Sequence, residues 1–219
     1  MNYDEIKTDD IDEMFSWGSG WDRRYTQLSA GRLGFCTRQI RLPNVFIEWN
    51  TYGQAVLFEE VMHNRVLFFG MLLDSTGPVV YRGREMAAAD GLVYHQGQEQ
   101  EYRLRPDSRS MGVAIDATLW SALGWRLSDH PIYGVPSQRV MRLVDICEEV
   151  TAVAMMNTAG EVDTEAESVL RERVVLALGD VIEPWRASAE AADVIQDDSR
   201  AFAVAQRAVQ IMRAIDGSS

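Results

Sequence analysis

The side chains able to do chemistry are few and scattered. His63, His95 and His130 stand apart, and none repeats at the spacing that would gather the ligands of a metal ion. Cys36 and Cys147 are far apart with no CxxC spacing, so they predict buried free thiols, not a disulfide framework or a zinc site. His95 precedes Glu99 by one helical turn's spacing, which offers an acid–base pair, set against a structural or ligand-contacting role. The acid pairs Glu59-Glu60, Glu148-Glu149 and Asp197-Asp198 are adjacent in sequence. Neighbours on a strand or helix point apart, so all three are predicted to be solvated. There is no Gly-rich phosphate loop, GxSxG or HExxH. These residues therefore predict no catalytic centre, no metal and no cofactor.

Aromatic residues offer a different chemistry. Trp49, Phe58, Phe69, Tyr81, Tyr94 and Tyr102 lie in strand-like segments, and inward rings can wall a small cavity. Glu48, Arg65 and His95 are the polar groups able to orient a ligand within it. These nine residues are the candidate ligand-binding set; the alternative, that the rings simply fill the core, stays open because periodicity does not reveal a void.

The elements that must position them divide the chain near residue 125. With 219 residues, 47% hydrophobic and 25% charged, the chain can bury a sizeable core. A net charge of −12 and no basic stripe argue against direct contact with nucleic acid. No segment reaches the roughly 18 apolar residues of a membrane span, and the start has no signal-peptide pattern, so the expected location is cytoplasmic. Residues 9–17 predict one short helix, capped by Asp10 with Glu13 three residues on and ended by Gly18-Ser19-Gly20. Strands of a small β-barrel or sandwich follow to about Ile115: Leu33 to Leu42 and Val45 to Phe58 joined at Pro43-Asn44, with a bend at Tyr52-Gly53. Then come an almost wholly apolar strand Arg65 to Leu73, a hairpin at Val79 to Met86, an alternating strand around Tyr102 and Leu104, and a last strand Ser110 to Ile115.

Beyond Thr118 the period becomes helical. A short helix around Leu119 and Trp120 stops at Gly124, and a loop runs through Pro136. Ser137 caps a long helix carrying Val140, Leu143, Val144, Cys147 and Val150 on one face. A second begins at Asp163-Thr164 and is predicted to stop at Glu183, before Pro184, pairing with the first as an antiparallel hairpin. It is apolar around much of its girth, so Val174, Leu178, Val181 and Ile182 are the expected homodimer contacts. Residues 186–199 read as a linker, and Ser199 to Ile215 as one further helix.

The segment Asp90 to Gly97 resembles the second signature of cupin barrels, with Gln100 standing where metal-binding cupins place a histidine. More broadly, the order of residues 10–13, Trp21 to Tyr25, Gln27 to Arg32, Phe46 to Glu48, Arg82 to Arg84 and Asp90-Gly91 resembles the N-terminal effector domain of AraC/XylS-type transcription regulators. The likeness extends to the branch that includes the ethanolamine-operon regulator. The resemblance implies an α+β fold: a cupin-like β-barrel (double-stranded β-helix) with a short N-terminal helix, over residues 1–125. Residues 126–219 would be the helical hairpin plus one further helix, a dimerisation region. It further implies a small-molecule effector, a homodimer, and contact with DNA only through helix-turn-helix units outside this chain. Two alternatives are carried: a metal-free cupin-type enzyme acting on a polar metabolite, and a stand-alone modulator that forms mixed dimers with a full-length regulator.

Overall fold

The computed structural model describes residues 1–14, 21–62, 66–86, 91–95, 97–123, 132–133, 137–157 and 163–186. Strand β1 (Asn2–Thr8) is followed by β2 (Trp21–Gln27), β3 (Phe35–Leu42), β4 (Val45–Tyr52), β5 (Val56–Met62) and β6 (Val66–Asp74). Next come β7 (Val79–Tyr81), β8 (Arg84–Met86), β9 (Gly91–His95), β10 (Glu99–Leu104), β11 (Ser108–Asp116) and helix α1 (Ala117–Ala122). The short β12 (Ile132–Tyr133) precedes helices α2 (Ser137–Met156) and α3 (Thr164–Arg186).

Among the described residues the strands form two antiparallel sheets, in the orders β1-β3-β4-β11-β6-β9-β12 and β2-β5-β10-β7-β8. The sheets do not close into the expected barrel. The bend at Tyr52-Gly53 is a change of sheet, so Val45 to Phe58 is two strands: β4 lies in the larger sheet and β5 in the smaller. Gly53 is required there, because a Cβ would sit 2.9 Å from the Leu33 carbonyl. Ser29 pins the corner, its hydroxyl bonded to Gln54 Oε1 at 2.7 Å and accepting from the Ala55 N–H at 2.9 Å. Gln27 in turn holds the loop by donating to the carbonyls of Ser29 and Gly31.

The β3–β4 turn at Pro43-Asn44 forms as the sequence indicates, with Asn44 accepting a φ of 61° at the position where a type II turn needs it. Strand β1 has no counterpart in the sequence reading. It is an edge strand of mostly exposed polar residues, paired among the described residues with β3 alone, and lacks the apolar alternation by which strands are recognised. Of the expected helix over residues 9–17, Asp10 does accept from the Asp12 N–H at 2.9 Å and Met14 is buried, while residues 15–17 lie outside the described residues.

The outer face of the larger sheet is covered by α2 and α3. Ile47 and Trp49 of β4, Leu67 and Phe69 of β6 and Val113 of β11 share one buried cluster with Leu143 and Cys147 of α2 and Val174 and Leu178 of α3. This corrects the expected dimer contacts. Val174, Leu178 and Val181 are fully buried and Ile182 is 2% exposed within the single chain. The wide apolar girth of α3 serves its own sheet as well as α2. Val169 and Leu176 remain exposed on it.

Arg139 and Arg142 near the start of α2 reach Asp180 near the end of α3, while Arg173 grips Glu149 with two 2.6 Å hydrogen bonds. The pairs therefore run in opposite senses along the two helices. Helix α3 passes the predicted stop at Pro184. Proline has no N–H for the carbonyl four residues back, that of Asp180, and Arg139 Nη1 donates to this carbonyl at 2.8 Å instead. The expected helix Ser199 to Ile215 and the linker before it lie outside the described residues, as do His63, Arg65 and His130. No helix among the described residues is long and apolar enough to cross a membrane.

Candidate ligand-binding site

Strand alternation sends one set of side chains from each sheet into the space between them. Across the larger sheet the register aligns Gln39, Glu48, Gly112, Gly70 and Leu92 side by side. Across the smaller sheet it aligns Arg23, Glu60 and Gln100, and in a neighbouring row Tyr25, Phe58, Tyr102 and Tyr81. That second row is a continuous aromatic ladder, with ring centroids 4.9, 5.5 and 4.9 Å apart in order. Gly112 and Gly70 leave a trough in the larger sheet in which the Phe68 ring lies. A Cβ on Gly112 would strike that ring and stand 3.1 Å from Glu48 Cγ.

The space left between the sheets is a cavity of about 70 Å³, walled by aromatic and aliphatic side chains and by one polar cluster. At roughly 10–15 Å³ per water in this measure, it holds a handful of waters or a small organic molecule. Arg23 and Glu60 face each other across β2 and β5, and Arg23 Nε donates to Glu60 Oε2 at 2.7 Å. Tyr94 donates its hydroxyl to the other Glu60 oxygen at 3.0 Å. From the opposite sheet Glu48 brings Oε2 to 3.7 Å from Arg23 Nη1, and its Oε1 accepts from Asn50 Nδ2 at 3.2 Å. Arg23 also bonds the Tyr25 oxygen.

Burial pushes the Glu60 carboxyl up; Arg23 and Tyr94 pull it down, Glu48 pushes it up again, and burial prevails. Arg23 is held well above its usual range: burial opposes its charge, and Glu60 and then Glu48 outweigh that. Burial is also the first cause raising Tyr52, Tyr94 and Tyr102, which therefore serve as neutral hydroxyls.

Of the candidate ligand residues, the structure brings Glu48, Phe58, Tyr94 and Tyr102 to the cavity wall. Trp49 and Phe69 are corrections. Each is one residue out of phase with an inward neighbour, Glu48 and Phe68, and so lies in the helix-facing core. Tyr81 ends the ladder, fully buried and bonded to Gln100 instead of lining the cavity. His95 ends β9 with its ring 3.4 Å from Gln98 Nε2, and Glu99, its expected acid–base partner, is exposed. Arg65 lies outside the described residues. Glu60 is a further correction, since it was expected on a solvated face and is 2% exposed. The sequence reading also missed Arg23, Tyr25 and Asn50. Period-two spacing put Arg23 on the face of Tyr25, but only strand pairing set it opposite Glu60.

A cupin-type metal does not fit the described donors. Gln100, at the position of the metal-binding histidine, is buried with its carbonyl oxygen taken by the Tyr81 hydroxyl. Among the described residues no three His, Cys, Asp or Glu converge.

No protein-family model matches the sequence, and no curated protein matches it. Solved structures do match. The AraC-like transcriptional activator CuxR superposes with a TM-score of 0.58 at 11% identity, covering 83% of this chain and 70% of that one. The chain thus shares the fold of that structure over most of its own length. KdgF from Halomonas sp. matches 42% of this chain and 84% of its own at 14% identity and a TM-score of 0.33. A putative ethanolamine utilization protein Q from Salmonella typhimurium LT2 matches 44% of this chain and 97% of its own, at 14% identity and a TM-score of 0.29.

Proposed function

We propose that the chain is the ligand-sensing domain of an AraC-like transcription regulator. A small molecule occupies the cavity between the sheets, and the occupancy is passed to helices α2 and α3 and from them to DNA-binding units outside this chain. One strand carries the reading. In β4, Glu48 faces the cavity, and the next residue, Trp49, faces the helices and donates Nε1–H to Thr151 Oγ1 of α2 at 2.9 Å. Thr151 donates onward to the Cys147 carbonyl, and both side chains of the Trp49–Thr151 bond are buried. A ligand that shifts β4 cannot do so without acting on α2. The fold shared with CuxR supports the same reading.

Sensing in this scheme is a difference in ligand affinity between two arrangements of the helices. Binding rather than catalysis is the proposed role, because the deepest acid, Glu60, is committed to Arg23 and Tyr94. A homodimer and a cytoplasmic location belong to the same proposal, as does kinship with the ethanolamine-operon branch, which rests on the order of segments from residues 10–13 to Asp90-Gly91.

The experiment is a thermal-shift screen of small metabolites, followed by hydrogen exchange on the hits. A ligand that binds only the folded chain raises its melting temperature, and exchange should slow in both β4 and α2. Protection confined to the cavity strands, with α2 unchanged, would remove the transmission step. Turnover of a hit compound would move the chain to the enzymes.

A further inference from the structure

The charge count of the cavity is uneven. Its charged lining residues are Arg23, Glu48 and Glu60, one guanidinium for two carboxylates. Glu60 uses both oxygens within the protein, at 2.7 Å to Arg23 and 3.0 Å to Tyr94. Arg23 bonds Glu60 at 2.7 Å, also bonds Tyr25 and lies 5.8 Å from the Phe58 ring centroid. Glu48 receives what is left. Its Oε2 is 3.7 Å from Arg23 Nη1, beyond hydrogen-bond reach, and its side chain is only 8% exposed. One formal negative charge, with an acceptor oxygen lacking a close donor among the described residues, thus sits within a largely apolar and aromatic lining.

Such a group is costly until a donor, preferably a charged one, meets it. Aromatic rings attract cations, and those of Phe58, Phe68 and Tyr102 border the same space. An anionic ligand would add to the charge already in surplus. A neutral polyol would supply donors, but without the charge and with a poor match to the apolar walls.

This inference rests on the reading of the cavity as a ligand site. We propose that the cavity takes a small organic cation, an ammonium compound whose N–H groups meet Glu48 while its apolar body lies against the rings of Phe58, Phe68 and Tyr102. The size of the cavity limits the ligand to a few heavy atoms.

The test uses three probes of one shape, butylammonium, butanol and butyrate, titrated into the purified chain by calorimetry, with aromatic NMR signals reporting the cavity. Butylammonium should bind saturably and shift the Phe68 and Tyr102 signals, with butanol about tenfold weaker or more and butyrate silent. Glu48→Gln, close in shape, should cost butylammonium about tenfold or more. Butanol or butyrate binding as well as the amine overturns the cation class and leaves the sensor reading in place. No saturable response from any probe overturns the inference and removes the support the cavity lends to sensing. The comparison of probes on the unaltered chain decides the matter even if Glu48→Gln fails to fold. Full retention of amine binding in a folded Glu48→Gln variant excludes Glu48 as the partner and overturns the inference.

Discussion

Replacing Arg23 by methionine keeps the length and most of the apolar stem of the side chain and removes its charge. Glu60 then sits fully buried, with the Tyr94 hydroxyl as its remaining hydrogen-bond donor among the contacts described. Breaking one side of a buried ion pair costs about 3–5 kcal/mol, because the surviving charge stays desolvated. Arg23→Met should lose that much stability near pH 7, a large share of the 5–15 kcal/mol that typically holds a fold. The loss should shrink on acidification. The folded Glu60 carboxyl already lies above its unfolded value, first through burial, and without Arg23 it loses its strongest downward pull. Between the unfolded value, about 4.3, and the folded one, the native state binds more protons than the unfolded state. Stability is therefore greatest below the unfolded value and falls as pH rises through the folded one. Urea unfolding at pH 5 and pH 7 measures both effects. The double variant Arg23→Met/Glu60→Gln keeps an acceptor for Tyr94 and should recover most of the loss at pH 7. A cost under about 1 kcal/mol at pH 7, an equal cost at both pH values, or no recovery in the double variant would refute the reasoning.

Thr151→Val leaves the Trp49 indole N–H buried without its acceptor, and should cost about 1–3 kcal/mol in urea unfolding while abolishing ligand-induced protection in α2. If protection survives, transmission does not pass through this bond. Gly112→Ala drives a methyl group into the Phe68 ring, so a loss of about 1–3 kcal/mol and of any cavity ligand is expected; calorimetry with an unchanged affinity would contradict the packing. Leu178→Asp buries a charge in the chain's own core and should prevent stable folding, seen as lost near-ultraviolet circular dichroism. Leu176→Asp, at a position 70% exposed, should leave the fold within about 0.5 kcal/mol. Light scattering on Leu176→Asp then tests the exposed side of α3: a dimer that becomes monomeric places the subunit contact there, and an unchanged dimer places it elsewhere.

Local signals carried much of the architecture. Pro43-Asn44 marked a turn because proline fixes one central dihedral and asparagine tolerates the other. The period-two run at β10 and the helical periods of α2 and α3 were legible because burial on one face leaves a pattern in composition. Strand β1 left none, being a polar edge. Pro184 gave a correct local rule that a remote side chain overrode, when Arg139 took over the orphaned Asp180 carbonyl.

By itself the sequence determined most of the strands and the two long helices, and that neighbours such as Glu48 and Trp49, or Phe68 and Phe69, must face opposite ways. Which of each pair faces the cavity was left open, since both faces of β4 and β6 are buried and apolar content no longer separates inside from outside. Only sheet pairing decided it. The register that sets Arg23 against Glu60 spans 37 residues of chain, and the packing of α2 and α3 on the larger sheet made Val174 and Leu178 core residues. Both depend on surfaces that exist only once distant segments have met, so no pattern within any one segment could encode them.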